Sequence, residues 1–359
     1  IITGKEMRML SVCFLMLIML AGSVRAADRA PFEMHFLDVG QGQCTLVIAD
    51  GECMLIDGGG RDSSSFVVSY LKDQGIGRLK YLLASHYDED HIAGLIGAMY
   101  SADCDTVLCP EGEASTSIYG SFRKALDNTG ASAVHPQRGD GYQLGGAVID
   151  VLGAADADDG ENESSLCIRI TYGEITLLSC GDISRDTEWE LMDNAEELSA
   201  DIYIAGHHGS ANSNGCEFLR SVSPSLTVIS CGRANTYGHP SESALANIRE
   251  SGSELYRTDL QGTILICSDG TELWSDQMPC NDWTPGQCEE VQNSQDPAAG
   301  APIGDPESYN YVCNTNTMKF HYPFCSSVKK MKEKNKYYAP ETREELIGRG
   351  YDPCGNCSP

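Results

Sequence analysis

The chain has 359 residues, with 25 Lys+Arg against 52 Asp+Glu, for a formal net charge of −27. That length is ample for more than one domain. The charge excludes a generic basic surface for nucleic acid, so a polyanionic substrate would need locally placed positive charge, such as a metal centre.

Lys5 and Arg8 precede the apolar run "MLSVCFLMLIMLAG" at 9–22, and small residues follow near Ala26 and Ala27. This pattern reads as a secretory signal peptide over 1–27. The run is short for a membrane span, which predicts a secreted protein with no stable membrane insertion after cleavage.

From Pro31 to Ser275 strand and helix signals alternate. "FEMHFLDV", "CTLVIA" and "CMLIDGGG" are short β-type runs, followed by the helical "SFVVSYLKDQ", the strand "YLLAS" and a helix after His91. "SSLCIRITYGEITLLSCGD" reads as a hairpin turning at "YGE". Later strands are "DIYIAG", "SLTVIS" and "GTILICSDG", and Ser241 is placed to cap the helix "SESALANIRES". Mixed elements on this scale predict a layered α/β domain over 31–275. Of sixteen Cys, Cys44, Cys53, Cys167, Cys180, Cys231 and Cys267 lie in apolar runs, where the thiol acts as a small hydrophobe. Cys104 with Cys109 and Cys280 with Cys288 are candidate local pairs. Residues 276–308 are rich in Pro, Gly, Asn, Gln and acid, which predicts a linker. Residues 309–359 turn basic, with Lys319, Lys329, Lys330, Lys332, Lys334, Lys336, Arg343 and Arg349, and are too short to bury much core without a staple.

The acid–imidazole clusters all fall at expected strand ends. His86, Asp88, Asp90 and His91 follow "YLLAS", Asp182 follows "ITLLSCG", His207 and His208 follow "DIYIAG", and His239 follows "SLTVIS". Loops at strand ends are where layered α/β folds collect their chemistry. His86 and Asp88 alternate along an extended segment and can face one ion, whereas Asp90 and His91 sit at a helix entry and can face another. A carboxylate such as Asp182 can bridge the two ions. Taken alone, "SHYDEDH" is equally an acidic helix N-terminus favoured by the helix dipole. The three further loops tilt the reading to metal.

At these residues the chain resembles the metallo-β-lactamase superfamily, whose HxHxDH signature stands here as "HYDEDH". More narrowly, it resembles the extracytoplasmic hydrolase domain of bacterial DNA-uptake competence proteins, through "FLDVGQGQ", "LIDGGG", "SHYDEDHIAG", "NESSLCIRI", "CGD", "AGHHGSANS" and "NTYGHPS" over about residues 32–275. The resemblance implies a four-layer αββα sandwich with a dinuclear site on one edge. It implies His86 and Asp88 on one divalent ion (Zn or Mn), Asp90 and His91 on the other, Asp182 bridging, and His207 or His208 completing the shell. Asp90, Asp182 and His239 would serve catalysis, His239 as a ligand or a phosphate contact. Asp57 and Asp38 would hydrogen-bond behind the ligands, although each is equally readable as a turn residue. Gln41, Asn162 and Ser165 belong to the same signature without an assigned role. Two departures stand out. Asp88 replaces the superfamily's second His, favouring harder ions such as Mn²⁺ beside Zn²⁺, and Gln43 replaces the usual Asp of "GQGD".

"HYPFC" and "CGNC" place His321 and Cys325 before Cys354 and Cys357, the pairwise spacing of a closed structural zinc site. Two disulfides would be the alternative. The tail also resembles the small Ada-type metal-binding module attached to some bacterial nucleases, which implies those four as ligands of one Zn. Together the two resemblances imply a secreted metal-dependent phosphodiesterase cleaving DNA by a metal-bound hydroxide, with the basic tail near the strand. Two alternatives stay open: hydrolysis of cell-wall polymers or phosphocholine esters, and a metal-containing binding module without turnover.

Overall fold

The computed structural model describes residues 29–153, 162–194, 197–287, 311–315, 317–321, 326–339, 343–349 and 351–354. The expected signal peptide, most of the expected linker, Cys288, Cys325 and Cys357 lie outside them. The chain divides into two compact units, one ending at Val291 and one beginning at Gln292.

The first unit holds two sheets. One is built from β1 (Phe32–Phe36), β2 (Thr45–Ala49), β3 (Glu52–Ile56), β4 (Arg78–Leu83), β5 (Asp103–Leu108) and β6 (Ser132–Val134), with β14 (Ile264–Ser268) and β15 (Leu273–Trp274), in the order β15-β14-β1-β2-β3-β4-β5-β6. The other is built from β7 (Gly141–Leu144), β8 (Ala147–Gly153), β9 (Cys167–Tyr172), β10 (Ile175–Ser179), β11 (Ile202–Ile204), β12 (Leu226–Ile229) and β13 (Glu254–Arg257), in reverse order from β13 to β7. Alternate residues of each strand fill the space between the sheets, among them Phe32, Met34, Phe36, Met54, Ile56, Ile168, Ile170, Leu177, Ile202 and Ile204.

Helices cover both outer faces. On the first sheet, α1 (Ser64–Asp73), α2 (Glu89–Ser101) and α3 (Ser117–Thr129) bury Val67, Leu71, Leu95, Ala98 and Phe122 against Leu46, Leu55 and Leu82. On the second, α4 (Arg185–Asn194), α5 (Cys216–Val222) and α6 (Glu242–Ser251) bury Leu191, Phe218, Val222, Leu245 and Ile248 against Leu178, Tyr203 and Leu255. Each such fully buried side chain contributes about 1.5–3 kcal/mol of transfer free energy. The result is the expected helix–sheet–sheet–helix sandwich. Ser241 caps α6 as expected, its Oγ accepting from Ala244 N at 3.2 Å. A single turn of helix, α7 (Thr258–Gln261), follows β13.

Two close approaches fix the first sheet to its helices at the functional end. An ideal Cβ on Gly58 would lie 2.3 Å from Leu95 N, and one on Gly94 would lie 1.9 Å from Gly58 O. Only glycine at both positions lets the "DGGG" loop touch α2. Gly58 N then donates to His91 O at 2.6 Å and Gly94 N to Gly59 O at 3.1 Å.

Three expectations need correction. The helix begins at Glu89, so His91 lies in its first turn rather than before it. Residues 276–287 are not linker. They pack on the domain, where Asn281 Oδ1 accepts from Leu255 N at 2.9 Å and Arg257 Nη1 donates to Asp282 O at 3.1 Å. Polar composition concealed this, because the segment docks through single polar groups such as Asn281 Oδ1 and Asp282 O and through Cys280 and Trp283, without a periodic apolar pattern. Cys104 and Cys109 are both free, since they bracket an extended strand and stand about five residues, roughly 17 Å, apart. Cys280 is also free.

The second unit is a four-stranded sheet in the order β18-β16-β17-β19, formed by β16 (Tyr311–Asn314), β17 (Lys319–His321), β18 (Lys336–Ala339) and β19 (Asp352–Pro353), with α8 (Ser326–Lys329) and α9 (Arg343–Gly348). Its core is small: Cys313, Phe320, Ala339, Leu346 and Tyr351. Among the described residues, no helix is long and apolar enough to cross a membrane.

Candidate metal centre

The site forms where strands of both sheets end. Strands β3 and β4 run parallel, as do β10, β11 and β12, so their C-terminal ends deliver five loops to one edge of the sandwich. Asp57 follows β3, the His86–His91 segment follows β4, Asp182 follows β10, His207 and His208 follow β11, and His239 follows β12.

Three imidazoles are anchored through Nδ1, which leaves Nε2 for the centre. His91 Nδ1 meets Asp57 Oδ2 at 2.8 Å, His208 Nδ1 meets Ser230 O at 3.0 Å, and His86 Nδ1 meets Ser85 Oγ at 3.0 Å. A carboxylate and a carbonyl only accept, so His91 and His208 carry their proton on Nδ1 and turn a lone pair inward. Those inward atoms lie close together. His91 Nε2 is 3.3 Å from His208 Nε2 and 3.3 Å from Asp182 Oδ2, while His208 Nε2 is 3.3 Å from Asp90 Oδ2 and 3.4 Å from Asp182 Oδ2. Nitrogens and carboxylate oxygens this close need positive charge between them, from a metal ion or from protons on the imidazoles. His86 Nε2 and Asp182 Oδ1 are buried with no hydrogen-bond partner, as ligand atoms would be. Two ligand sets result: His86, His91 and Asp182, and Asp90, His91 and His208.

The proton affinities tell the same story. Burial alone would lower the pKa of His208, but Asp182 and Asp90 overcome it and push it up to about 10. Burial likewise opposes the His91 shift, and Asp182 with Asp57 raises it well above the ordinary histidine value. For Asp182, burial favours the neutral acid, yet His208 and His91 hold the carboxyl well below its usual range. The cluster attracts positive charge, and a divalent metal supplies it in the form this donor set fits.

Asp57 is fully buried and sits behind the cluster. Its Oδ1 accepts from Ser85 N at 2.8 Å, and its Oδ2 accepts from Ser85 Oγ at 2.7 Å and Gln43 Nε2 at 3.2 Å. Gln43, the departure from "GQGD", is therefore part of the scaffold that aims His91. Ser165 takes a comparable place, with its Oγ accepting from Asp182 N at 3.3 Å and donating to Asn162 O at 2.6 Å. Asp38 does not belong here. It is exposed, and its Oδ1 accepts from Gly40 N at 3.3 Å within its own turn. A short polar side chain beside a glycine turn satisfies the local backbone first.

Asp88 Oδ2 lies 3.7 Å from His86 Nε2 and is partly exposed. His207 is also peripheral, its Nε2 3.8 Å from Asp182 Oδ2 with about a quarter of the side chain exposed. Of the "HH" pair, His208 points into the cluster. His239 stands farther out, its ring 5.8 Å from His207 and 6.4 Å from His208. Gly232 N donates to Gln41 Oε1 at 3.2 Å and fixes that amide, so Gln41 Nε2 faces His239 Nδ1 at 3.4 Å. The His239 proton is thereby assigned to Nε2. Burial and the neighbouring His208 and His207 push its pKa down to about 4, leaving it neutral near pH 7.

A second group of residues, absent from the sequence reading, holds the "HH" turn. His207 (φ 50°) and His208 (φ 56°) are both left-handed, which costs about 1–2 kcal/mol per residue. Asn214 Oδ1 accepts from Gly206 N at 3.1 Å and Tyr203 Oη at 3.1 Å, and its Nδ2 donates to Gly206 O at 3.0 Å. Buried Glu188 holds Asn214 in turn, accepting from Asn214 N at 2.5 Å and Gly215 N at 2.8 Å. A lone Asn or Glu carries no spacing signal, so nothing in the sequence marked either.

Residues 37–233 match the family described as "Metallo-beta-lactamase superfamily". Among curated proteins the chain is similar to ComE operon protein 3 of Bacillus subtilis, 29% identical over 251 residues covering 65% of this chain and 32% of that protein. It is similar to Competence protein ComA of Neisseria gonorrhoeae, 31% identical over 232 residues covering 63% and 31%. It is also similar to Recombination protein 2 of Haemophilus influenzae, 24% identical over 261 residues covering 71% and 30%. The chain thus spans about a third of the length of these relatives. Among solved structures, it is similar to the metallo-beta-lactamase fold protein YhfI from Bacillus subtilis, with a TM-score of 0.45 at 13% identity, covering 68% of this chain and 99% of that one.

Proposed function

Because the chain belongs to the metallo-beta-lactamase superfamily, we propose that it is a secreted, metal-dependent phosphodiesterase that cleaves DNA. The observation that carries the hydrolase reading is the convergence of His86, Asp90, His91, Asp182 and His208 around two unpartnered buried atoms. Relatives named for competence and recombination support DNA as the substrate.

In this reading His86 and Asp182 would hold one divalent ion, Zn or Mn, Asp90 and His208 would hold a second, and His91, with its single inward lone pair, would join only one of them. Asp88 and His207 stand at the rim, close enough to join. When bound, such ions supply Lewis acidity to phosphate oxygens and lower the pKa of water. The chain's own residues do the positioning. Asp57 fixes the His91 tautomer, Ser230 O fixes that of His208, and neutral His239 offers Nε2–H as a hydrogen-bond donor to a phosphate oxygen. Asp90 and Asp182 stay ionised, so they offset the charge of any cation brought in.

We read the second unit as a zinc-stapled module. His321 and Cys354 follow the paired residues Phe320 and Pro353 of β17 and β19, and both are buried. His321 Nδ1 has no hydrogen-bond partner, and burial with the charge of Lys319 keeps the imidazole neutral, the form a metal binds. Cys325 and Cys357 would complete the set. Its basic side chains would hold the strand nearby and raise the local substrate concentration.

The deciding assay incubates the full chain with Mn²⁺ or Zn²⁺ and labelled single- and double-stranded DNA. Cleavage that Asp182→Ala lowers at least about 1000-fold, with the fold retained by circular dichroism, is expected. Intact DNA alongside phosphate esters released from wall polymer would sink the DNA reading. For the tail, His321→Ala should lower bound zinc by about one ion per chain while DNA cleavage persists. Unchanged zinc content would remove His321 from the site.

A further inference from the structure

The loop after β12 presents an aromatic ring to solvent beside the metal centre. Tyr237 is 68% exposed. It is nevertheless held. Buried Asn235 acts as the hub of the turn: its Oδ1 accepts from Tyr237 N at 3.0 Å and His239 N at 3.0 Å, and its Nδ2 donates to Gly232 O at 2.9 Å and His239 O at 2.6 Å. The phenol ring lies over His239 with centroids 5.6 Å apart and planes 24° from parallel. His239 in turn lies 31° from parallel with His208, whose Nε2 is in the buried cluster. The three rings form a ladder from the cluster out to water. One face of Tyr237 is used by His239, and the side chain otherwise projects into solvent.

We propose that the exposed face of Tyr237 is a stacking subsite for an unpaired nucleobase adjacent to the phosphate that the metal centre engages. The proposal rests on the phosphodiesterase reading above and narrows its substrate to a strand with accessible bases. Three physical points favour a base. A protein with a net charge of −27 gains little from general surface attraction to a polyanion and has only local phosphate contacts to offer, whereas stacking is indifferent to charge. A ring already fixed by Asn235 and His239 loses little rotamer freedom on binding. Lastly, a quaternary ammonium needs a cage of several aromatic faces, and among the described residues the only ring contact of Tyr237 is His239. The same turn also carries exposed Arg233, which has no ion-pair partner among the described residues and can meet a neighbouring phosphate.

The test titrates full-length protein, loaded with Mn²⁺, into a single-stranded oligodeoxynucleotide with one 2-aminopurine and hydrolysis-resistant phosphorothioate links. Stacking quenches 2-aminopurine fluorescence. Wild type should quench it. Tyr237→Ala should lose the quench and weaken binding about tenfold or more, and Tyr237→Trp should restore both. A merely structural Tyr237 would not be rescued in the quench by Trp. Absence of quench in wild type, or a quench that Tyr237→Ala leaves unchanged, overturns the proposal. Tyr237-dependent displacement of the oligonucleotide by phosphocholine overturns it too, in favour of a quaternary-ammonium substrate. The DNA-cleavage assay separates the two levels. Cleavage without a Tyr237-dependent quench keeps the nuclease and discards the stacking subsite. A Tyr237-dependent quench without cleavage supports the stacking subsite and discards the nuclease.

Discussion

The two halves of the metal centre are built in opposite ways. On the first sheet, His86, Asp88, Asp90 and His91 come from six consecutive residues at one strand end, and a single loop carrying Asp57 buttresses them. On the second, Asp182, His208 and His239 come from three loops, and the His207–His208 turn is strained and held from outside by Asn214 and Glu188. The first half is encoded by spacing; the second is encoded by tertiary hydrogen bonds. A short motif can place several ligands when a strand end and a helix start already have the right geometry. Where the backbone must be left-handed at two successive residues, the fold has to supply the restraint.

The contrast is sharpened most by removing the first-half buttress. Asp57→Asn leaves the shape but loses the carboxylate that fixes His91 Nδ1–H. Metal affinity should fall about 10–100-fold, measured by chelator competition. Affinity within twofold of wild type would mean that His91 is aimed by its helix alone. A smaller effect is expected from Asn214→Ala on the other side. That change leaves Gly206 O without its donor, at a cost of about 1–3 kcal/mol for a buried unsatisfied group, while Gly206 N keeps Tyr203 Oη at 3.0 Å; it also frees the left-handed pair. Turnover should drop about tenfold with a Tm lower by several degrees, and metal affinity should fall less than in Asp57→Asn. Unchanged turnover would show that the turn holds itself and would erase the difference between the halves.

The same contrast explains what could be read in advance. The strands of both sheets stood out as short apolar runs between turns, and the metal cluster stood out because imidazoles gathered at strand ends. Which His of the pair points inward was not readable, because both follow β11 and only the kink at His207 separates them. Glu188 was invisible because its partners are backbone amides 26 and 27 residues along the chain, and Asn214 because it bonds the Gly206 backbone across the turn; Asn235 stands in "NTYGHPS", but nothing in that motif marked it as the hub of its turn. Asp38 was left open between a place behind the ligands and a turn, since motif membership says nothing about whether a short side chain spends itself on its own turn, and it is the turn that it serves. Gln43 stood out as a departure from "GQGD" and is a buried contact to Asp57.

Glu188 gives the gentlest probe of the second half, because its charge can be removed without touching a ligand. Burial raises its pKa to about 7, and the amides of Gly215 and Asn214 offset this only in part. The folded state therefore keeps a proton that the unfolded chain releases near pH 4.5. A group with a raised folded pKa contributes its full stability below the unfolded value and loses it as pH rises through the folded one. Between about pH 4.5 and 7 the domain should lose up to about 3 kcal/mol from this residue, less whatever water reaches it. Thermal melts of the wild type should thus fall as pH rises across that window. Glu188→Gln, which cannot titrate and still accepts one amide hydrogen bond, should flatten the slope while keeping turnover within about twofold. A slope that persists in the variant would place the titration elsewhere. A large loss of turnover would mean that the restraint on the His207–His208 turn depends on both carboxylate oxygens, making the second half as brittle as the first.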